Sequence, residues 1–105
     1  MASTKAYLDF VLEQLSDLEG VSYRAMMGEF VLYCRGKVIG GVYDDRFLIK
    51  PTSSALRLLD EEGLAPQFDI PYPGSKELLV APVDDPALLW RVVGAIADEL
   101  PKAKR

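Results

Sequence analysis

Residues 24–50, RAMMGEFVLYCRGKVIGGVYDDRFLIK, decide how the rest of the chain is read. The stretch is dense in Val, Ile, Phe and Tyr, and Gly or Asp interrupts it at short intervals, the pattern of short strands joined by tight turns. Val21 to Met27 alternates well enough for a strand, with Gly28 breaking or bulging it. Glu29 to Arg35 and Lys37 to Tyr43 flank a turn at Gly36-Lys37, where glycine supplies the positive φ of a type II′ hairpin. Asp44-Asp45 makes the next turn through hydrogen bonds of its own side chains, and Arg46 to Lys50 returns as a further strand.

Two-residue loops at both turns fix a register. One face of the sheet then carries Val31, Tyr33, Val38, Gly40, Val42, Phe47 and Ile49. The other carries Phe30, Leu32, Cys34, Ile39, Gly41, Tyr43 and Leu48, mixed with Arg46 and Lys50. Antiparallel sheets commonly keep one face wet, yet both of these are apolar. Three helices in so short a chain cover one face only. The second face, with Phe30, Leu32, Ile39, Tyr43 and Leu48 as its large residues, is therefore expected to meet another copy in a homodimer. A one-residue slip in either turn would exchange the faces and leave that expectation standing.

Helices are expected on both sides of this stretch. Ser3 or Thr4 caps a first helix that runs to about Glu19 and stops at Gly20, with Leu8, Val11, Leu12, Leu15 and Leu18 on one stripe. Met1 and Ala2 are expected to fray. A short helix from Ser54 to about Glu62 turns Leu56 and Leu59 inward. Leu64 to Gly74 is irregular because Pro66, Pro71 and Pro73 block regular structure, while Phe68, Ile70 and Tyr72 are expected to pack it down. Lys76 to Ala81 is one more strand. Asp84 or Asp85 caps a final helix with Pro86 in its first turn, whose buried stripe is Leu89, Val92, Val93, Ile96 and Leu100. Trp90 reads as a core anchor, and Gly94 predicts close backbone contact with the sheet. The fold class is α+β: two layers, a mostly antiparallel sheet of four to five strands and three helices, in the order α-β-β-β-β-α-β-α.

The chain has 105 residues and reads as one domain, residues 1–105. No apolar run approaches the roughly 20 residues of a membrane span, no signal peptide opens the chain, and the single Cys34 has no internal partner. A reducing cytoplasm is the expected location. Sixteen acids outnumber twelve bases, for a net charge of −4. That balance argues against direct nucleic-acid binding, which draws on Lys and Arg to neutralise phosphates. The basic tail Lys102-Ala103-Lys104-Arg105 is too short to change this.

Histidine is absent. The Ser-His-Asp and Cys-His arrangements are thereby excluded, and so is the commonest transition-metal ligand. Gly36-Lys37-Val38 lacks the spacing of a phosphate loop, and Gly40-Gly41 reads as a place of close packing. Asp44-Asp45 and Asp84-Asp85 serve a turn and a cap. No catalytic residue, cofactor or metal is expected. Arg24, Lys50 and Lys76, with Tyr72, are the candidates for a small anion pocket or for partner contacts at the ends of the sheet. The plainer reading of these bases is that they are solvated strand-edge charges.

Arg24-x-Met26-Met27-Gly28, Leu32-Tyr33-x-x-Gly36-Lys37 and Asp44-Asp45-Arg46-Phe47-Leu48-Ile49-Lys50, followed by Phe68-x-x-Pro71-Tyr72, resemble the N-terminal domain family of the competence regulator TfoX, also called Sxy. Met27 stands where that family commonly has Phe, and a single Gly28 stands where a glycine pair is frequent. The resemblance implies a two-layer fold similar to the secretion chaperones. It also implies a non-enzymatic regulatory module, in transcriptional or competence regulation, that acts through protein contacts. Regulators of the family work beside a cyclic-AMP receptor protein and carry a second, helical domain; this sequence matches the first.

Overall fold

The computed structural model describes residues 3–101. Met1, Ala2 and the basic tail 102–105 lie outside the described residues. The order is α1 (Lys5–Gln14), β1 (Val21–Met26), β2 (Glu29–Cys34), β3 (Lys37–Val42), β4 (Phe47–Ile49), α2 (Ser53–Glu61), β5 (Phe68–Asp69), β6 (Leu78–Val80) and α3 (Pro86–Glu99). The strands form one antiparallel sheet in the order β1-β2-β3-β4-β6-β5. This is the expected α+β arrangement with one more strand. The addition, β5, is two residues long and lies between Pro66 and Pro71, in the segment expected to be irregular.

Three two-residue turns build the first four strands. Met27-Gly28, Arg35-Gly36 and Asp44-Asp45 each hold positive φ at both positions. That is the type I′ geometry, whose twist matches the strands it joins. The β2–β3 turn therefore sits one residue earlier than expected and is of the other primed type. Lys37 is released into β3, where its Nζ donates to the Ala97 carbonyl at 2.7 Å. Arg35 donates to the Gly94 carbonyl and pairs with Asp98 at 2.8 Å. Together they place two cations on the C-terminal turns of α3, where the helix dipole is negative.

A β-bulge in β3 overturns the expected faces. Leu32 pairs with Gly40 but Tyr33 pairs with Val38, so Ile39 is an extra residue. A bulge shifts parity within one strand. Leu32, Cys34 and Ile39 consequently face the helices together with Val42, Phe47, Ile49, Leu79 and Ala81, and all of them are buried in the core. Phe30 packs against the same cluster. The helices contribute Leu8, Val11, Ala55, Leu59, Leu89, Val92, Val93 and Ile96. The outer face holds Val31, Tyr33, Val38, Gly41 and Leu48.

The helical caps are Thr4, Thr52 and Asp85, each accepting from a backbone N–H three residues on. α1 stops at Gln14, earlier than expected. The Trp90 indole N–H donates to the Gln14 carbonyl at 3.1 Å and anchors α3 to that helix end. No sheet backbone crowds the side-chain position of Gly94; the nearest atom to a Cβ placed there is Leu18 Cδ1 at 3.7 Å.

Candidate functional site

The outer face of the sheet is closed in part by the chain itself. Leu48 faces away from the helices yet is fully buried. Its neighbour across the ladder is Gly41. A Cβ on Gly41 would lie 2.8 Å from the ring of Tyr43, so that ring lies over the glycine. Tyr72 meets Tyr43 edge to face, with centroids 6.5 Å apart. Burial raises the pKa of the Tyr43 hydroxyl, and the neighbouring Tyr72 and Glu29 raise it further.

Arg46 holds this cover in place. Its Nε donates to the Tyr43 carbonyl, and its Nη1 donates to Asp69 Oδ2 at 2.6 Å and to the Ile70 carbonyl at 3.1 Å. The guanidinium holds the Asp69 carboxyl below its ordinary range, helped by the Ile70 N–H. Residues 70–73 thus form a proline-rich strap tied down beside β4. The expectation that Phe68, Ile70 and Tyr72 pack this segment down needs correcting. All three are exposed to a large extent, and the buried residue is Pro71. Arg46 was legible as a charge in an apolar row, but its partner Asp69, 23 residues away, was not.

The predicted anion pocket is not assembled. Tyr72 lines an open cleft of about 520 Å³ with Glu29, Asp44 and Asp69, a carboxylate-rich surround in which Arg46 is already paired. Lys50 lines a different cleft, with Tyr33, Lys37 and Pro101. Arg24 lies on β1, at the far edge of the sheet from β6, and Lys76 is exposed in the loop before β6. Among the described residues, no group of His, Cys, Asp and Glu is placed to hold a metal ion.

The predicted dimer face is divided as well. Phe30, Leu32 and Ile39 belong to the helix side, whereas Tyr43 and Leu48 lie on the strap side. Leu32, Ile39 and Leu48 are inaccessible in the single chain, so these five residues cannot form one contact surface. The bulge at Ile39 is the physical reason.

A surface that sequence reasoning missed lies at the other end of the sheet. Leu64 and Val80 are 45% and 37% exposed. Leu64 and Val80 line a cleft of about 540 Å³ with Leu59, Ala81 and Val83, and Asp84 and Asp85 also line it. Its signal in the sequence was weak, because the apolar residues come from two separate segments.

Comparison with known proteins bears on this architecture. The model of the TfoX N-terminal domain matches residues 13–100. A curated relative, described as an uncharacterised 12.7 kDa protein in the trpE 5′ region of Spirochaeta aurantia, is 36% identical over 81 residues, covering 77% of this chain and 67% of the relative. The family match spans β1 to α3, including the strap and its arginine, and the chain belongs to the TfoX N-terminal domain family.

Proposed function

We propose that this protein is a non-enzymatic regulatory module, of the transcriptional or competence-related kind, that acts by binding another protein. The observation that carries the reading is the cleft lined by Leu64, Val80 and Val83, with Leu64 and Val80 partly exposed and Asp84 and Asp85 beside them. Large exposed apolar patches with polar rims mark interaction sites. The matching partner surface presents an apolar anchor flanked by basic residues. Family membership supports the regulatory half of the proposal. A reducing, cytoplasmic location suits the free and buried Cys34.

The test is a chromosomal Leu64→Asp variant in the native cell. That side chain is already 45% exposed, so folding and abundance are expected to match wild type. Transcript profiles are expected to change as they do on deletion, and a co-purifying protein is expected to be lost. Wild-type transcripts from a variant present at normal abundance would refute the reading.

A further inference from the structure

We propose that β1 is a dimerisation edge, on which a second copy of the chain adds its own β1 to make one continuous sheet across a two-fold axis. The inference is independent of the cleft beside Val80, which lies toward the opposite end of the strand order.

The backbone fixes the geometry. Met26 and Glu29 flank the two-residue turn Met27-Gly28, and the closing pair of such a hairpin exchanges both hydrogen bonds. Ladder pairs then alternate, so Met26, Arg24 and Ser22 bond to β2. The N–H and C=O groups of Val21, Tyr23 and Ala25 point outward. Among the described residues no further strand lies beyond β1, and those three residues make no other backbone hydrogen bond. Six groups are left to water on one edge.

Only one two-fold register uses all six. With Tyr23 opposite its own copy, Val21 faces Ala25 of the second copy and Ala25 faces its Val21. Every outward donor then meets an outward acceptor. Ser22 stands across from Arg24 of the second copy, so no like charges oppose each other. Centring on Arg24 instead would face arginine with arginine and leave the outward groups of Val21 opposite the turn residue Met27, unpaired.

The side chains agree with this register. Tyr23 is 42% exposed and meets Phe30 edge to face at 5.9 Å, on the helix side of the sheet. Pairing extends that contact into a row of Phe30, Tyr23, Tyr23 and Phe30 across the axis, the kind of cross-strand aromatic contact that stabilises sheets. Edge strands are normally blunted by proline, lysine, a bulge or brevity. The opposite edge, β5, is two residues long, but β1 has six residues and, apart from the charge of Arg24, none of those devices. About six hydrogen bonds over one strand make an interface at the small end of the range, so a dissociation constant in the micromolar range is expected.

Sedimentation of the full chain from low micromolar to about 0.5 mM tests the proposal. The mass is expected to rise from 11.6 kDa toward twice that value. Ala25→Pro removes one outward N–H without touching the β2 ladder, and Tyr23→Asp sets two carboxylates face to face. Each should remain folded by circular dichroism and stay monomeric. Tyr23→Cys should give an oxidised dimer in high yield and Arg24→Cys should not, which reads the register directly. In wild type, amide exchange at Val21, Tyr23 and Ala25 should slow with concentration. A wild-type monomer at the highest concentration overturns the proposal, as does a dimer that persists in Tyr23→Asp or cross-links better through residue 24.

Discussion

Gly40 and Gly94 both interrupt regular elements, and the structure gives them opposite reasons. A Cβ on Gly40 would run into the Leu48 carbonyl oxygen and stand 2.7 Å from Ile49 Cα. Those atoms belong to the backbone of the neighbouring strand and cannot swing away. Gly40→Ala should therefore destabilise the fold by about 2 kcal/mol, within the usual range for overpacking. A Cβ on Gly94 would meet only Leu18 Cδ1, at an ordinary 3.7 Å, and the residue lies in mid-helix. Gly94→Ala should stabilise by about 0.5–1 kcal/mol, the helix propensity difference. Urea midpoints of the two variants check both signs; a Gly94→Ala that loses stability would show that the helix needs more room there than the structure gives it. Sequence alone flagged both glycines as packing sites and was right about one. Whether a glycine is required depends on what approaches it in space, which helical or strand spacing does not encode.

At the scale of elements, the strands, the caps and the buried stripes of α1 and α3 were legible because they repeat with the period of their own secondary structure. Face assignment was not, because a period-two reading assumes an unbroken ladder. One extra residue at Ile39 moves Gly40, Val42, Phe47 and Ile49 to the face of Leu32, and Gly41 and Leu48 to the face of Val31. The turn at Met27-Gly28 was equally hidden, since no local rule favours methionine at positive φ. The strap was visible only as prolines. Its stability rests on Arg46, whose bonds to Asp69 and the Ile70 carbonyl join two segments far apart in sequence. Arg46→Met keeps the side chain's bulk and removes those donors. Amide exchange at Asp69, Ile70 and Tyr72 should then accelerate on the order of tenfold, as expected for the loss of charge-assisted bonds, while exchange in α3 stays near wild type. Equal acceleration in both regions would mean that the strap is part of the global folding unit.

For the whole molecule, two carboxylates tie together segments far apart in sequence, and both bind their proton less readily when folded. Ser54 donates to Glu99 from its hydroxyl and from its backbone N–H at 2.8 Å, and Ser53 adds a hydroxyl, so the last turn of α3 caps the start of α2. These bonds, the Ser54 hydroxyl first, hold Glu99 below its ordinary value of 4.5. Arg46 does the same for Asp69, whose ordinary value is 3.8. A carboxyl depressed in the folded state favours folding at full strength above its unfolded pKa. The contribution fades as pH falls through the folded pKa, because the unfolded chain takes up the proton first. Stability should therefore be flat in this respect above about pH 5 and decline from there into the acid range. A Glu99→Gln/Asp69→Asn variant should start lower at neutral pH and show a shallower acid decline, the two curves converging as the wild-type carboxyls protonate. Urea midpoints measured at half-unit steps from about pH 6 to pH 3 separate this from a general effect of acid on a chain of net charge −4. Curves that stay parallel to the lowest pH would assign the acid sensitivity to other groups and leave these two contacts as geometry without linkage to folding.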